Sequence, residues 1–200
     1  MATLKKAKLK ESVRRMPTLF ILFTLLGFFF LTIILAGLFL PATWIIEKAE
    51  LIHATPDDLF ALINSLEEWP NWTVWSSDNQ ASNLTFEYRD HKEGLGATQI
   101  WKSNKINGIL AITESEFNKE IKYQFDVKEG NLTLLGTIVL APADTNYTQI
   151  AWRCQLKELK DNNPIRRYQA FFLKNYFDTT IEGSLASMSS MFNSEESLES

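Results

Sequence analysis

The sequence predicts an α+β fold: an antiparallel sheet covered by a long C-terminal helix, preceded by one transmembrane helix. Three observations predict it. Residues 18–40, TLFILFTLLGFFFLTIILAGLFL, hold no charged side chain. From residue 43 to residue 156, short β-branched and aromatic runs are separated by turn-forming residues. After Asn163-Pro164, apolar residues recur at spacings of mostly three and four.

The apolar run comes first. At roughly 1.5 Å per residue it is long enough to cross a hydrocarbon core of about 30 Å. Pro17 precedes it and Pro41 ends it. The apolar core of a secretory signal peptide is shorter, about 7–15 residues, and is followed by an A-x-A-like site. Here the nearest small-residue stretch is Ala36-Gly37, so a retained anchor is expected over a cleaved signal. Residues 1–17 carry six bases (Lys5, Lys6, Lys8, Lys10, Arg14, Arg15) against Glu11, a net +5. Only Lys48 follows within about fifteen residues of the run. The positive-inside rule then places the N-terminus in the cytoplasm and the folded domain on the periplasmic or extracellular side. The expected organisation is a basic N-terminus (1–17), a transmembrane helix (18–40), a folded domain (43–192) and a flexible polar tail (193–200).

Within the domain, residues 43–53 (TWIIEKAELIH) read as a first strand. Thr55-Pro56-Asp57-Asp58 opens a short helix: Thr caps, Pro suits the first position, and the acids favour the positive dipole end. The helix should end near Leu66. Residues 67–82 are aromatic-rich (WPNWTVW) and expected to be irregular, with Pro70 breaking any helix. Strands are then expected at 84–89, 97–103, 109–117, 120–127, 132–140 and 147–156. Gly94-Leu95-Gly96, Asn107-Gly108, Asn118-Lys119 and Glu129-Gly130-Asn131 supply turns between them. These are meander connections, so the sheet should be antiparallel, with six or seven strands. Asn163-Pro164 starts the last helix, whose apolar positions include Ile165, Tyr168, Phe172, Phe177, Ile181, Leu185, Met188 and Phe192.

Composition excludes several chemistries. The whole chain is −4, so residues 18–200 carry −9, a poor match for a phosphate backbone, and no nucleic-acid partner is expected. The single cysteine, Cys154, allows no intramolecular disulfide and no thiolate cluster. His53 and His91 have no metal-ligand spacing, so neither a metal nor another cofactor is expected. The nearest acid pairs, Glu87 with Asp90 and Glu114 with Glu116, read as surface groups, and no catalytic residue is assigned. Arg166 and Arg167 are expected on the solvent side of the last helix.

The order of motifs resembles a known superfamily. Its carriers are Trp69-Pro70-Asn71-Trp72 with Trp75, Gly94-Leu95-Gly96-Ala97 with Trp101, Asn107-Gly108, Gly136-Thr137 with Trp152, and Asn163-Pro164-Ile165 with Arg167 and Gly183. Over about residues 44–190 the chain resembles the SRPBCC or helix-grip superfamily. That superfamily includes START-like domains, birch-pollen-allergen-like (Bet v 1-like) proteins and the polyketide cyclase/dehydrase-like group. The resemblance implies a curved sheet gripping the long helix, with an elongated apolar cavity between them. It also implies binding of a lipid or other hydrophobic small molecule. Trp72, Trp75, Trp101, Tyr123, Trp152, Tyr168 and Phe172 fall where the wall and mouth of that cavity would be, although large aromatics also fill ordinary cores. The Trp69–Trp75 segment is expected either to line a cavity entrance or to dip into the bilayer interface. Two alternatives remain open: a polyketide cyclase/dehydrase-like enzyme on an apolar substrate, and a protein-interaction module with a filled core.

Overall fold

The computed structural model describes residues 2–75, 83–104 and 106–199. Helix α1 spans Ala2–Leu38. Strand β1 (Ile45–Ile52) follows, then helices α2 (Pro56–Asn64) and α3 (Trp69–Trp72). Strands β2 (Thr85–Arg89), β3 (Thr98–Lys102), β4 (Gly108–Glu116), β5 (Glu120–Val127), β6 (Leu132–Pro142) and β7 (Thr148–Leu156) form the meander. Helix α4 (Pro164–Glu199) closes the chain.

All seven strands lie in one antiparallel sheet of order β1-β7-β6-β5-β4-β3-β2. The meander carries the chain across the sheet, and β1 joins it by pairing with β7, so β1 and β2 are the edges. Period-2 alternation sets the faces. Ile121, Tyr123, Phe125 and Val127 of β5 and Ile150, Trp152, Cys154 and Leu156 of β7 are all buried, as their sequence pattern requires. Helix α4 covers this face through Ala170, Phe177, Ile181, Leu185 and Met188.

The local starts are chemically explicit. Thr55 accepts from the Asp58 amide, and Asp58 accepts from the Thr55 amide, a reciprocal cap on α2. The sequence reading of Pro70 as a helix breaker is corrected here. Pro70 sits in the first turn of α3, where its missing N–H is not needed, and a single turn forms around it. Residues 76–82 of the stretch expected to be irregular lie outside the described residues. The apolar stripe of α4 also divides: Ile165 and Phe172 are 67% and 65% exposed, whereas the positions from Phe177 to Met188 are buried.

Helix α1 contacts the domain at its C-terminal end. Gly37 has no side chain, and a Cβ there would lie 2.7 Å from both the Pro164 Cβ and the Tyr168 ring. Arg167 donates to the carbonyls of Leu38 (2.9 Å) and Leu40 (2.6 Å). A cation at the end of a helix suits its negative dipole end. Arg166 donates to the Gly130 and Asn131 carbonyls and pairs with Asp161. Both arginines are therefore structural fasteners, which corrects the expectation that they face solvent freely.

Candidate functional site

Two features sit between the sheet and α4. The first is an aromatic centre. Trp69, Trp72, Trp75, Trp101, Tyr123 and Trp152 are each at most 2% exposed. They pack on one another, with Trp75 and Trp101 ring centroids 4.7 Å apart, Trp72 and Trp152 5.5 Å, and Trp69 and Tyr123 5.3 Å. Most of the polar handles are satisfied internally. Trp152 Nε1 donates to the Tyr123 hydroxyl (2.8 Å), Trp69 Nε1 to the Ile63 carbonyl (2.9 Å), and Trp101 Nε1 to Gln99 Oε1 (2.7 Å). Gln99, itself fully buried, donates onward to the Leu66 carbonyl and the Tyr88 hydroxyl. Burial pushes the Tyr123 hydroxyl well above its ordinary pKa, so it is a neutral phenol.

The second feature is a pocket of about 300 Å³ beside this centre. Helix α4 supplies Gln169, Phe172, Leu173 and Tyr176 to it. Its other wall is Val127 and Leu132 at the β5–β6 turn, Ser103 and Ile106 from the β3–β4 loop, and Leu84. The lining is mainly apolar, with Ser103, Glu129 and Gln169 as its polar groups. Glu129 is committed: its two oxygens accept from the Asn107 amide (2.9 Å) and from Asn107 Nδ2 (2.8 Å). Burial would raise its pKa, but these Asn107 hydrogen bonds outweigh that and hold the carboxyl below its ordinary value. Glu129 is thus a carboxylate that ties two loops together.

The seven aromatics read from the sequence separate on this geometry. Trp72, Trp75, Trp101, Tyr123 and Trp152 are brought together in the packed centre. Tyr168 donates its hydroxyl to the Ile33 carbonyl of α1 (2.8 Å). Phe172 lines the pocket. The Trp69–Trp75 segment, expected at a cavity entrance or in the interface, has its three indoles buried. Of the pocket lining, sequence reasoning reaches only Phe172; it misses the aliphatic residues Leu84, Ile106, Leu132 and Leu173 and the aromatic Tyr176, because no motif distinguishes them from core. The other acids are on the surface: Glu87 pairs with Lys102, Glu114 with Lys122, and Glu116 with Lys119. His53 packs against Tyr147, ring centroids 4.7 Å apart and tilted by 39°. Among the described residues no group of three or more His, Cys, Asp or Glu could hold a metal ion.

No protein-family model matches the chain, and no curated protein matches it. Solved structures do. XoxI from Bacillus cereus aligns at TM-score 0.56 and 13% identity, covering 76% of this chain and 97% of that one. A norcoclaurine synthase from Thalictrum flavum aligns at TM-score 0.56 and 10% identity, covering 77% and 96%. Ara h 8.0201 aligns at TM-score 0.51 and 13% identity, covering 76% and 99%. At these identities the likeness is one of fold. The fold is the helix-grip architecture, a seven-stranded antiparallel sheet around a long C-terminal helix. It is joined to an N-terminal helix whose segment Leu19–Leu38 is long and apolar enough to cross a bilayer.

Proposed function

We propose that this protein is a membrane-anchored binder of a hydrophobic small molecule or lipid, which it holds in the pocket lined by Phe172, Leu173 and Leu132. The carrying observation is the apolar cavity of about 300 Å³ between the sheet and α4. That is the lower end of the range typical of small-molecule sites, about 300–1,000 Å³. Burial of apolar ligand surface would drive binding at about 25 cal/mol per Å² before association costs. The anchor is residues 18–40, with the basic N-terminus in the cytoplasm and the domain outside. The resemblance to a norcoclaurine synthase raises the enzyme reading. That reading lacks support from the pocket acid, because both Glu129 oxygens are engaged by Asn107.

One observation favours a second reading. The tryptophan centre is filled, as a protein-interaction module without a ligand cavity would require. Native mass spectrometry with lipid extraction on the full chain decides between the two. A near-stoichiometric hydrophobic molecule, lost in a pocket-filling Leu173→Trp variant, supports the binder. A chain that emerges empty and binds no member of a lipid panel sinks it and leaves the interaction module.

A further inference from the structure

Helix α4 has two apolar faces near its start. One, beginning at Ala170 and Phe177, is buried against the sheet. The other, Ile165, Tyr168 and Phe172, repeats at three and four residues and lies outside the core, with Phe171 beside it at 42% exposure. A soluble helix turns such a face into the protein or fills it with polar residues.

Its position relative to α1 fixes what can cover it. Tyr168 bonds the carbonyl of Ile33, which lies inside the apolar segment Leu19–Leu38. Gly37 lets Pro164 and Tyr168 approach closely, and Arg167 grips the carbonyls of Leu38 and Leu40. The first turns of α4 are therefore held at the level of the last turns of α1. Phe39, at the end of α1, adds an 88% exposed ring at the same level. Charge agrees with this placement. Residues 157–174 hold five bases (Lys157, Lys160, Arg166, Arg167, Lys174) and two acids (Glu158, Asp161), a local +3 within a region, residues 18–200, that carries −9. Arg166 and Arg167 are engaged within the protein, so it is Lys157, Lys160 and Lys174 that suit lipid phosphates above acyl chains.

We propose that Ile165, Tyr168, Phe171 and Phe172, with Phe39, form a second membrane contact, occupied by the acyl-chain and glycerol layer of the leaflet in which α1 ends. Phe172 belongs both to this face and to the pocket wall, so the contact holds the pocket against lipid. The ligand class follows: a lipid of that leaflet, entering through an apolar mouth without crossing water. This inference rests on the reading of α1 as a membrane anchor.

The test uses the full chain in nanodiscs of phosphatidylcholine and phosphatidylglycerol. Single cysteines Phe28→Cys, Ile165→Cys, Phe171→Cys, Phe172→Cys and Thr145→Cys are labelled with an environment-sensitive fluorophore. Lipids carrying a spin label quench it, with the label near the top of the acyl chain for the α4 positions and near the chain's end for position 28, which lies about 15 Å below Leu38. Cys154 stays in place, since it is fully buried. The three α4 positions are exposed, so the substitutions leave the core intact, and near-UV circular dichroism matched to the parent verifies this. Quenching severalfold stronger at positions 165, 171 and 172 than at 145, with blue-shifted emission, is expected. If position 28 is quenched while those three behave like position 145, the anchor stands and the second contact is overturned. If position 28 is also unquenched, the anchor reading fails and takes the contact with it.

Discussion

Trp152 touches Trp69, Trp72, Trp75 and Tyr123, and its indole N–H ends on the Tyr123 hydroxyl. Removing it empties the centre of the core and leaves that hydroxyl with Cys154 as its side-chain partner. Trp152→Ala is therefore expected to destabilise the fold by about 3–5 kcal/mol, read as a lowered denaturant midpoint. A loss of less than about 1 kcal/mol would mean the centre is loosely packed, with room for a ligand. Cys154, two residues along, has its thiol pushed up to about 12 by burial. The folded chain keeps this proton while the unfolded chain loses it near the ordinary value of 9.0. Stability is thus untouched below 9.0 and falls as pH rises toward about 12, with the folded thiol silent to a chromogenic disulfide reagent at pH 8 and reactive in denaturant. At this scale the sequence told which residue types matter but not what they touch. Seven aromatics pointed to one cavity, and the fold sends five to a packed centre, one to α1 and one to a pocket wall. Side-chain period fixes the face of a strand; it does not say whether the space above that face is filled.

Most strand-level expectations held because turn chemistry is local; Asn107-Gly108 is the exception, with Gly108 the first residue of β4, paired with Trp101. Asn118 and Asn131 adopt positive φ at the turns where the sequence placed them, as do Gly94, Gly96 and Gly130. Pairing added what no local pattern carries. Gly136 lies opposite Tyr123 in the β5–β6 register, and a Cβ there would sit 1.9 Å from the Tyr123 ring. The bare backbone lets the phenol lie across β6 and reach Trp152. Gly136→Ala should cost about 1–3 kcal/mol by overpacking in the parent, and less when made in a Tyr123→Leu background, where the smaller side chain removes the clash. A cost as large in that background as in the parent would place the penalty in the strand backbone. The division of α4 escaped the sequence for a related reason. A stripe at spacings of three and four marks a helix face as apolar, but the partner of each third of that face is set by tertiary contacts: α1 and the pocket at the start, the sheet further on.

For the whole molecule the governing asymmetry is charge. On the proposed reading of α1 as an anchor, a net +5 before the apolar segment and −9 after its start favour threading with the bases on the cytoplasmic side. The five bases near the start of α4 do not oppose this, because the rule weighs short flanks of the span and they lie more than a hundred residues further along the chain. In the proposed arrangement the acidic remainder of the domain would be repelled by anionic headgroups and the basic start of α4 would face the membrane. Two single-cysteine variants of the full chain, Ala7→Cys and Thr145→Cys, report the threading in intact cells. A membrane-impermeant maleimide should label position 145 at once and position 7 only after the membrane is opened. The reverse pattern would put the domain in the cytoplasm. Equal labelling of both in a released, shortened product would mean that the apolar segment is cleaved as a signal. The pocket would then meet its ligand in solution, and the fixed geometry between α1 and α4 would have no role in loading it.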